Sequence, residues 1–259
     1  MSACSAAEPA ANTATLPQIA AAGPAAGAAS RAAKKGSLYV ANAGANTVTV
    51  YAAGADSVTR TISKGVNAPD ALEFDSANNL YVANAGAGTV TVYAPGSGSV
   101  LRTISEGVDG PRALAFDGSG NLYVANGAAN TVTVYAPGRN SVLRTIDQGI
   151  NAPDALAAGD AGNLDVGNVY GAGYNGGTVT VYKAGSGEPS RTLPQGSAPV
   201  ALLYDGSGRL YVANDSPPCC YENWVTVYSP NKKLLRTINL VHHPDALAFD
   251  GSGNLYVAD

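Results

Sequence analysis

The chain has 259 residues, a formal net charge of −4 and only 13% charged residues. This charge balance excludes a basic nucleic-acid-binding surface as the basis of function, and no apolar run approaches the roughly 18 residues that a membrane-spanning helix needs. The length suits one repeat domain with an additional segment.

Residues 1–36 differ in composition from the rest of the chain. They are rich in Ala, with Gly, Pro, Ser and Thr, and contain no repeat, which predicts a flexible tail or linker before a domain at 37–259. Met1–Cys4 is similar to the end of a bacterial lipoprotein signal, in which a small residue precedes a lipidated cysteine. Two interpretations stay open: Cys4 carries a lipid that anchors the protein to a membrane, or it is an ordinary cysteine in the tail. The low-charge composition favours a secreted or cell-envelope protein.

The remainder of the chain repeats one unit, which is clearest at Pro111–Ile146. Four short segments rich in Val, Thr, Tyr, Leu and Ile alternate there with turns of Gly, Pro, Asn, Asp and Ser, a pattern that predicts four antiparallel strands. We label them A to D and place them at 113–116, 122–125, 131–135 and 142–146. Units of this kind that recur at about 40 to 45 residues are typical of β-propeller blades.

Strand B, with the sequence LYVAN or a variant of it, fixes the period. Its last residue falls at Asn42, Asn84, Asn126, Asn168, Asn214 and Asp259. Strand B therefore occurs six times, at intervals of 42 to 46 residues, whereas strands A, C and D occur five times each. We expect an all-β propeller of four-stranded antiparallel blades, six-bladed with incomplete first and last blades. The alternative is a five-bladed ring, in which strand A after Pro244 completes the first blade and the final strand B is surplus.

The consensus of strands A and B resembles NHL-type propellers and their relatives, the gluconolactonase- and regucalcin-like propellers. The residues that carry the resemblance are Pro-x-Ala-Leu-x-Phe-Asp-x-x-Gly-Asn-Leu-Tyr-Val-Ala-Asn, best seen at Pro111–Asn126 and Pro244–Asp259. The resemblance covers about residues 37 to 259. It implies the propeller fold but not one function, since such propellers include enzymes, interaction platforms and ligand binders.

Strand direction assigns the loops to two faces of the propeller. In antiparallel blades the B–C and D–A loops share one face, and the A–B and C–D turns share the other. The second face is nearly constant between copies, which suits a structural role, whereas the fourth and fifth repeats each gain five residues in a B–C loop. Aromatic residues in these loops suit a ligand or partner site, and the alternative is a neutral change in loop length. The predicted binding residues are Tyr170, Tyr174, Tyr221 and Trp224.

A second set of candidates lies where strand A begins, beside the central channel. The residue after the proline of each copy is Asp70, Arg112, Asp154, Val200 or Asp245. Converging carboxylates suit a hard cation such as calcium, and in gluconolactonase-like propellers acidic residues at this position help to hold the catalytic divalent metal. The resemblance therefore implies a metal site at Asp70, Asp154 and Asp245. The alternative is that each Asp accepts backbone N–H groups in its own turn, with Arg112 neutralising a neighbour.

The histidines and two of the cysteines also depart from the repeat. His242 and His243 directly precede Pro244 and replace Asn-Ala pairs of other copies. At a channel mouth they suit ligand binding or proton transfer, and the alternative is that they are plain exposed loop residues. Cys219 and Cys220 are adjacent, a spacing that does not suit a structural zinc site, so a vicinal disulfide and two free thiols are the open interpretations.

No nucleophile-elbow, zinc-protease, phosphate-binding or dinucleotide-binding motif occurs in the chain. We therefore expect a non-catalytic binding or interaction scaffold with a protein, small-molecule or carbohydrate ligand on the B–C/D–A face. The expected contacts are the four aromatic residues together with Arg112, His242 and His243. The alternative is a metal-dependent lactonase or hydrolase at the channel mouth, with a divalent cation such as calcium as its cofactor.

Overall fold

The structure is a computed structural model that describes residues 36–159, 162–170, 176–215, 223–240 and 243–258. These residues form 21 β-strands and one short 3-10 helix, arranged in six antiparallel sheets. Within this part of the chain, no helix is long and apolar enough to cross a membrane.

The sheets follow one another along the chain. The first contains β1 (Leu38–Asn42), the 3-10 helix (Ala43–Ala45), β2 (Thr47–Tyr51) and β3 (Val58–Ile62). The second contains β4 (Pro69–Phe74), β5 (Leu80–Asn84), β6 (Thr89–Tyr93) and β7 (Val100–Ile104). The third contains β8 (Pro111–Phe116), β9 (Leu122–Asn126), β10 (Thr131–Tyr135) and β11 (Val142–Ile146).

The last three sheets complete the order. The fourth contains β12 (Pro153–Ala158), β13 (Leu164–Asn168), β14 (Thr178–Tyr182) and β15 (Pro189–Pro194). The fifth contains β16 (Ala198–Tyr204), β17 (Leu210–Asp215), β18 (Asn223–Tyr228) and β19 (Leu234–Leu240). The sixth contains β20 (Ala246–Phe249) and β21 (Leu255–Ala258).

Each complete sheet is one blade of strands A to D in sequence order, so the propeller prediction is confirmed. The first sheet lacks strand A, and the sixth contains only strands A and B. Because β20 pairs with β21 over its whole length, and the two form a sheet separate from β1, the six-bladed arrangement applies to the described residues. The five-bladed alternative required β20 to complete the first blade instead.

The hydrophobic core lies between neighbouring blades. Val48 and Val50 of the first blade pack with Leu72, Phe74 and Val82 of the second, and an equivalent apolar cluster lies between each later pair of blades. Each blade thus buries the face of the next, as in other repeat folds. The A strands β4, β8, β12, β16 and β20 contact one another in succession, which places strand A innermost. The start of each A strand therefore lies at the central mouth of the propeller.

Candidate functional site at the loop face

Backbone hydrogen bonds join the B–C loops to the D–A loops, which confirms that they share one face. Ala85 N donates to Ala68 O at 3.0 Å, Gly127 N donates to Gly110 O at 2.9 Å, and Val169 N donates to Ala152 O at 3.0 Å. In each pair the first residue follows strand B and the second precedes strand A. The loops predicted to carry function thus form a hydrogen-bonded rim around the mouth.

The asparagine that ends strand B holds this rim in place. Asn84 is buried; its Oδ1 accepts a hydrogen bond from Asn67 N at 3.0 Å and its Nδ2 donates to Thr91 Oγ1 at 2.9 Å. The Thr91 hydroxyl in turn donates to Gly65 O at 2.8 Å. The next two blades repeat this network with Asn126 and Asn168. The recurring asparagine is therefore a structural anchor for the D–A loop.

A β-bulge at the start of strand A aims the variable residue away from the ladder. In β4, β8, β12 and β16 the register with strand B shifts across one residue directly after the proline. The bulged residues are Asp70, Arg112, Asp154 and Val200. A bulge leaves its extra residue unpaired and redirects the side chain. The fold thus presents the residues that differ most between copies at the mouth.

Three of these residues form an Arg112 cluster, which we define as Asp70, Arg112 and Asp154. Arg112 Nη1 donates to Asp70 Oδ2 at 3.3 Å, and the Arg112 side chain is 44% exposed, whereas that of Asp70 is 11% exposed. Burial raises the pKa of Asp70 to about 6, an effect that Arg112 opposes and the charge of Asp154 reinforces. Burial likewise raises the pKa of Asp154, and Arg112 again opposes it. One arginine therefore interacts with two partly desolvated carboxylates.

A second group, the His243 cluster, contains Asp215, His243 and Asp245. His243 Nδ1 lies 2.5 Å from Asp215 Oδ1, and the His243 side chain is 49% exposed. Burial raises the pKa of Asp245, the charge of Asp215 raises it further, and His243 opposes both. Asp215 was not among the predicted site residues. Its signal was available, because Ala or Gly follows strand B in the first three copies and an acid stands there in the fifth.

The three carboxylates of the predicted metal site do not lie in one cluster. Among the described residues, no three His, Cys, Asp or Glu side chains are placed so that they could hold a metal ion. Asp70 and Asp154 belong to the Arg112 cluster, whereas Asp245 interacts with Asp215 and His243. The metal site at these three carboxylates stays a prediction that their contacts do not support.

Of the four aromatic residues predicted to bind a ligand, Tyr170 and Trp224 lie within the described residues. Tyr170 is 53% exposed at the end of the described B–C segment of the fourth blade. Trp224 was expected in an inserted loop, but it lies in β18, paired with Asn214 of β17. The strands of the fifth blade are thus longer than the repeat predicted. Outside the described residues lie Tyr174, Tyr221, His242, Cys219, Cys220 and the tail with Cys4.

Comparisons with known proteins support the fold class. No family model matches the sequence, and no curated protein matches it. A solved structure of Kuenenia stuttgartiensis hydrazine synthase is similar with a TM-score of 0.74 at 20% identity, covering 90% of this chain and 73% of that chain. A crystal structure of the mitotic checkpoint complex is similar with a TM-score of 0.68 at 16% identity, covering 86% and 67%. At these identities the similarities show the β-propeller fold alone, and the NHL-type resemblance of the repeat stays a prediction.

Proposed function

We propose that the chain is a non-catalytic binding propeller whose loop face receives a partner with cationic groups at the central mouth. The observation that carries this proposal is the series of bulges that turn Asp70, Arg112 and Asp154 out of the ladder. Bulges of this kind are over-represented beside functional sites.

The charge of the mouth favours a cationic partner. The Arg112 and His243 clusters together contain four carboxylates, one guanidinium and one imidazole. Arg112 interacts with both Asp70 and Asp154, so its single positive charge cannot neutralise the two carboxylates. A lysine or arginine side chain that enters the mouth would stabilise the ionised form of both.

A binding role fits this chemistry better than the lactonase alternative. Hydrolysis through a divalent metal needs several ligands that converge on one ion, whereas the candidate carboxylates are divided between two clusters and engaged with Arg112 or with the Asp215–His243 pair. The family resemblance that suggested a lactonase is also a resemblance of the repeat and not of a catalytic motif. We therefore place the lactonase second.

An NMR titration with two short peptides tests the proposal. The basic probe is acetyl-Gly-Arg-Gly-Lys-Gly-amide, and the acidic probe has Glu in place of Arg and Lys. We expect the basic probe to shift the amide signals of Asp70, Arg112 and Asp154 to saturation, and the acidic probe to leave them in place.

Two variants complete this test. The double variant Asp70→Asn/Asp154→Asn removes both carboxylates, and we expect it to lose the response to the basic probe. Asp56→Asn is the matched control, because Asp56 is an exposed carboxylate in a C–D turn on the opposite face. Equal saturation in wild type and the double variant would overturn the proposal, and so would a wild type that does not respond to the basic probe.

A further inference from the structure

The face assigned a structural role contains a cleft between the second and third blades. It has a volume of about 410 Å³, within the range of small-molecule sites. Its wall is formed by the A–B and C–D turns of the third blade and by side chains of the second. The lining residues that matter here are Tyr81, Arg102, Phe116, Asp117, Ser119 and Arg139. We call this cleft the open groove.

The same position between the fourth and fifth blades is occupied by the chain itself. There Asp165 stands where the open groove has Tyr81, Tyr204 stands in place of Phe116, and Lys232 in place of Arg139. The strand registers match, since Asp165 pairs with Val181 as Tyr81 pairs with Val92. Lys232 N and Arg139 N also donate to equivalent carbonyls in their C–D turns. We call this position the filled groove.

In the filled groove a carboxylate neutralises the cation of the C–D turn. The Asp165 side chain is fully buried, and the Lys232 side chain is 10% exposed. Lys232 Nζ donates to Asp165 Oδ2 and lies 4.5 Å from the centre of the Tyr204 ring. The Tyr204 hydroxyl donates to the same carboxylate oxygen at 2.5 Å. Ion pair, ring and hydroxyl thus form one buried cluster.

In the open groove the corresponding cation has no carboxylate. Tyr81 packs edge-on against Phe116, with ring centres 5.0 Å apart, and its hydroxyl accepts a hydrogen bond from Arg102 Nη2 at 2.5 Å. The Arg139 side chain is exposed, and neither Arg102 nor Arg139 forms a salt bridge within the described part of the chain. Among the described residues, two guanidinium groups therefore line one cleft without a salt bridge to either of its carboxylates.

The cleft has two acidic residues in its wall, Asp75 and Asp117, and both are already saturated. Asp75 Oδ1 accepts from the backbone N–H groups of Ala77 and Asn79, at 2.9 and 2.8 Å. Asp75 Oδ2 accepts from Asn79 Nδ2 at 2.7 Å and from the Tyr81 hydroxyl at 3.4 Å.

Asp117 Oδ1 accepts from the backbone N–H groups of Ser119 and Asn121, each at 2.9 Å. Asp117 Oδ2 accepts from Asn121 Nδ2 at 2.8 Å and from the Tyr123 hydroxyl at 3.2 Å. An ionised carboxylate has about four acceptor positions, so neither Asp75 nor Asp117 has one left for the arginines. The cleft is thus rich in donors and poor in acceptors.

We propose that the open groove binds a small molecule that carries a carboxylate group. The ligand carboxylate lies against Arg139 and Arg102, as Asp165 lies against Lys232 in the filled groove, and the body of the ligand packs on Tyr81 and Phe116. Charge-assisted hydrogen bonds from guanidinium to carboxylate provide the selectivity. This inference concerns the opposite face from the proposed function and stands independently of it.

A titration with benzoate and its neutral analogue benzamide, followed by NMR, tests this inference. We expect benzoate at millimolar concentration to shift the amide signals of Ser119 and Arg139, and benzamide to leave them in place. Arg139→Ser should weaken benzoate binding by roughly tenfold or more, since hydrogen bonds to charged groups have about this worth. Serine is compatible with the turn, because Ser97 and Ser186 occupy the same position in other blades.

Two further variants make the result decisive. Lys233→Ser removes an exposed cation from the C–D turn of the fifth blade, and we expect it to bind benzoate like wild type. Arg139→Lys keeps the charge without the planar fork, so we expect an intermediate affinity. Benzamide binding equal to benzoate binding would overturn the inference. Wild-type affinity in Arg139→Ser, or an open groove that does not respond to benzoate, would also overturn it.

Discussion

The open and filled grooves are two copies of one position in the repeat, and the side chains that decide their contents differ. Tyr81, Phe116 and Arg139 leave a cleft of about 410 Å³ between the second and third blades. In the filled groove, Asp165, Tyr204 and Lys232 form a buried ion pair with a hydrogen-bonded ring. The blades around both positions have the same strand order. The difference thus lies in the side chains and in the C–D turn, which is one residue shorter in the fifth blade and holds Lys232 at a φ of 59°.

This comparison distinguishes side chains that pack the fold in several blades from side chains that occur in one groove alone. The aromatic pair of Tyr81 and Phe116 recurs as Tyr39 with Phe74 and as Tyr211 with Phe249, each with ring centres 5.0 Å apart. That pair is therefore the usual packing between neighbouring blades at this position. The carboxylate of Asp165 and the cation of Arg139 are departures from it, and each calls for a separate physical reason.

The largest effect on stability is expected from removal of the Asp165 carboxylate in the filled groove. Asp165→Ala leaves the Lys232 ammonium buried without its partner, and loss of one member of a buried pair costs about 3–5 kcal/mol. We expect a loss of this size in the free energy of unfolding, measured by urea denaturation. The matched control is Arg209→Ala, which breaks the exposed Asp205–Arg209 pair and should change stability far less. Equal stability of Asp165→Ala and wild type would contradict the assignment of a buried pair.

A triple variant replaces the ion pair of the filled groove with the Tyr–Phe pair that recurs between other blades. Asp165→Tyr/Tyr204→Phe/Lys232→Ser introduces the side chains that other copies have at these positions. Replacement of a buried ion pair by well-packed apolar groups is often neutral or stabilising. We therefore expect the triple variant to recover the stability that Asp165→Ala loses, in the same urea measurement. A triple variant as unstable as the single one would show that the two grooves are not equivalent positions.

A smaller effect on stability is expected from Asp70, because its partner Arg112 lies at the surface and not in a buried groove. Burial raises the pKa of Asp70 from the usual 3.8 to about 6. Between these two values the folded protein holds a proton that the unfolded chain has released, so this residue makes stability fall as pH rises from about 4 to about 6. Asp70→Asn should reduce this slope, measured by urea denaturation at several pH values.

The control for the pH experiment is a change of the neighbouring cation. Arg112 lowers the pKa of Asp70 and of Asp154, so Arg112→Ala should raise both pKa values, observed by NMR titration of the carboxyl carbons. A midpoint for Asp70 that does not move in this variant would contradict the Arg112 cluster.

Most of the fold could be predicted from the sequence because it depends on local patterns. The alternation in TVTVY, the turn residues and the recurrence of LYVAN gave strand identity, blade order and the assignment of loops to faces. The extension of β17 and β18 escaped prediction, because Asp215 and Trp224 do not match the repeat although they are in strands. The repeat count favoured six blades over five, and the pairing of β20 with β21 agrees with six.

The grooves could not be predicted in the same way, because they depend on side chains from different blades. Asp165 meets Tyr204 at a separation of 39 residues and Lys232 at a separation of 67 residues. A signal was present, since Asp165 interrupts the tyrosine of strand B, but its partner was not evident from spacing alone. The near-constant turns of this face favoured a purely structural interpretation, and the variation that matters was confined to single residues such as Arg139.

The comparison is tested most directly by giving the open groove its own carboxylate. The double variant Tyr81→Asp/Phe116→Tyr copies the filled groove, where this pair of residues is accommodated together with Lys232. In a benzoate titration beside wild type, we predict that the double variant no longer responds, because the introduced carboxylate takes the place of the ligand at Arg139. Benzoate binding with wild-type affinity in this variant would contradict the account.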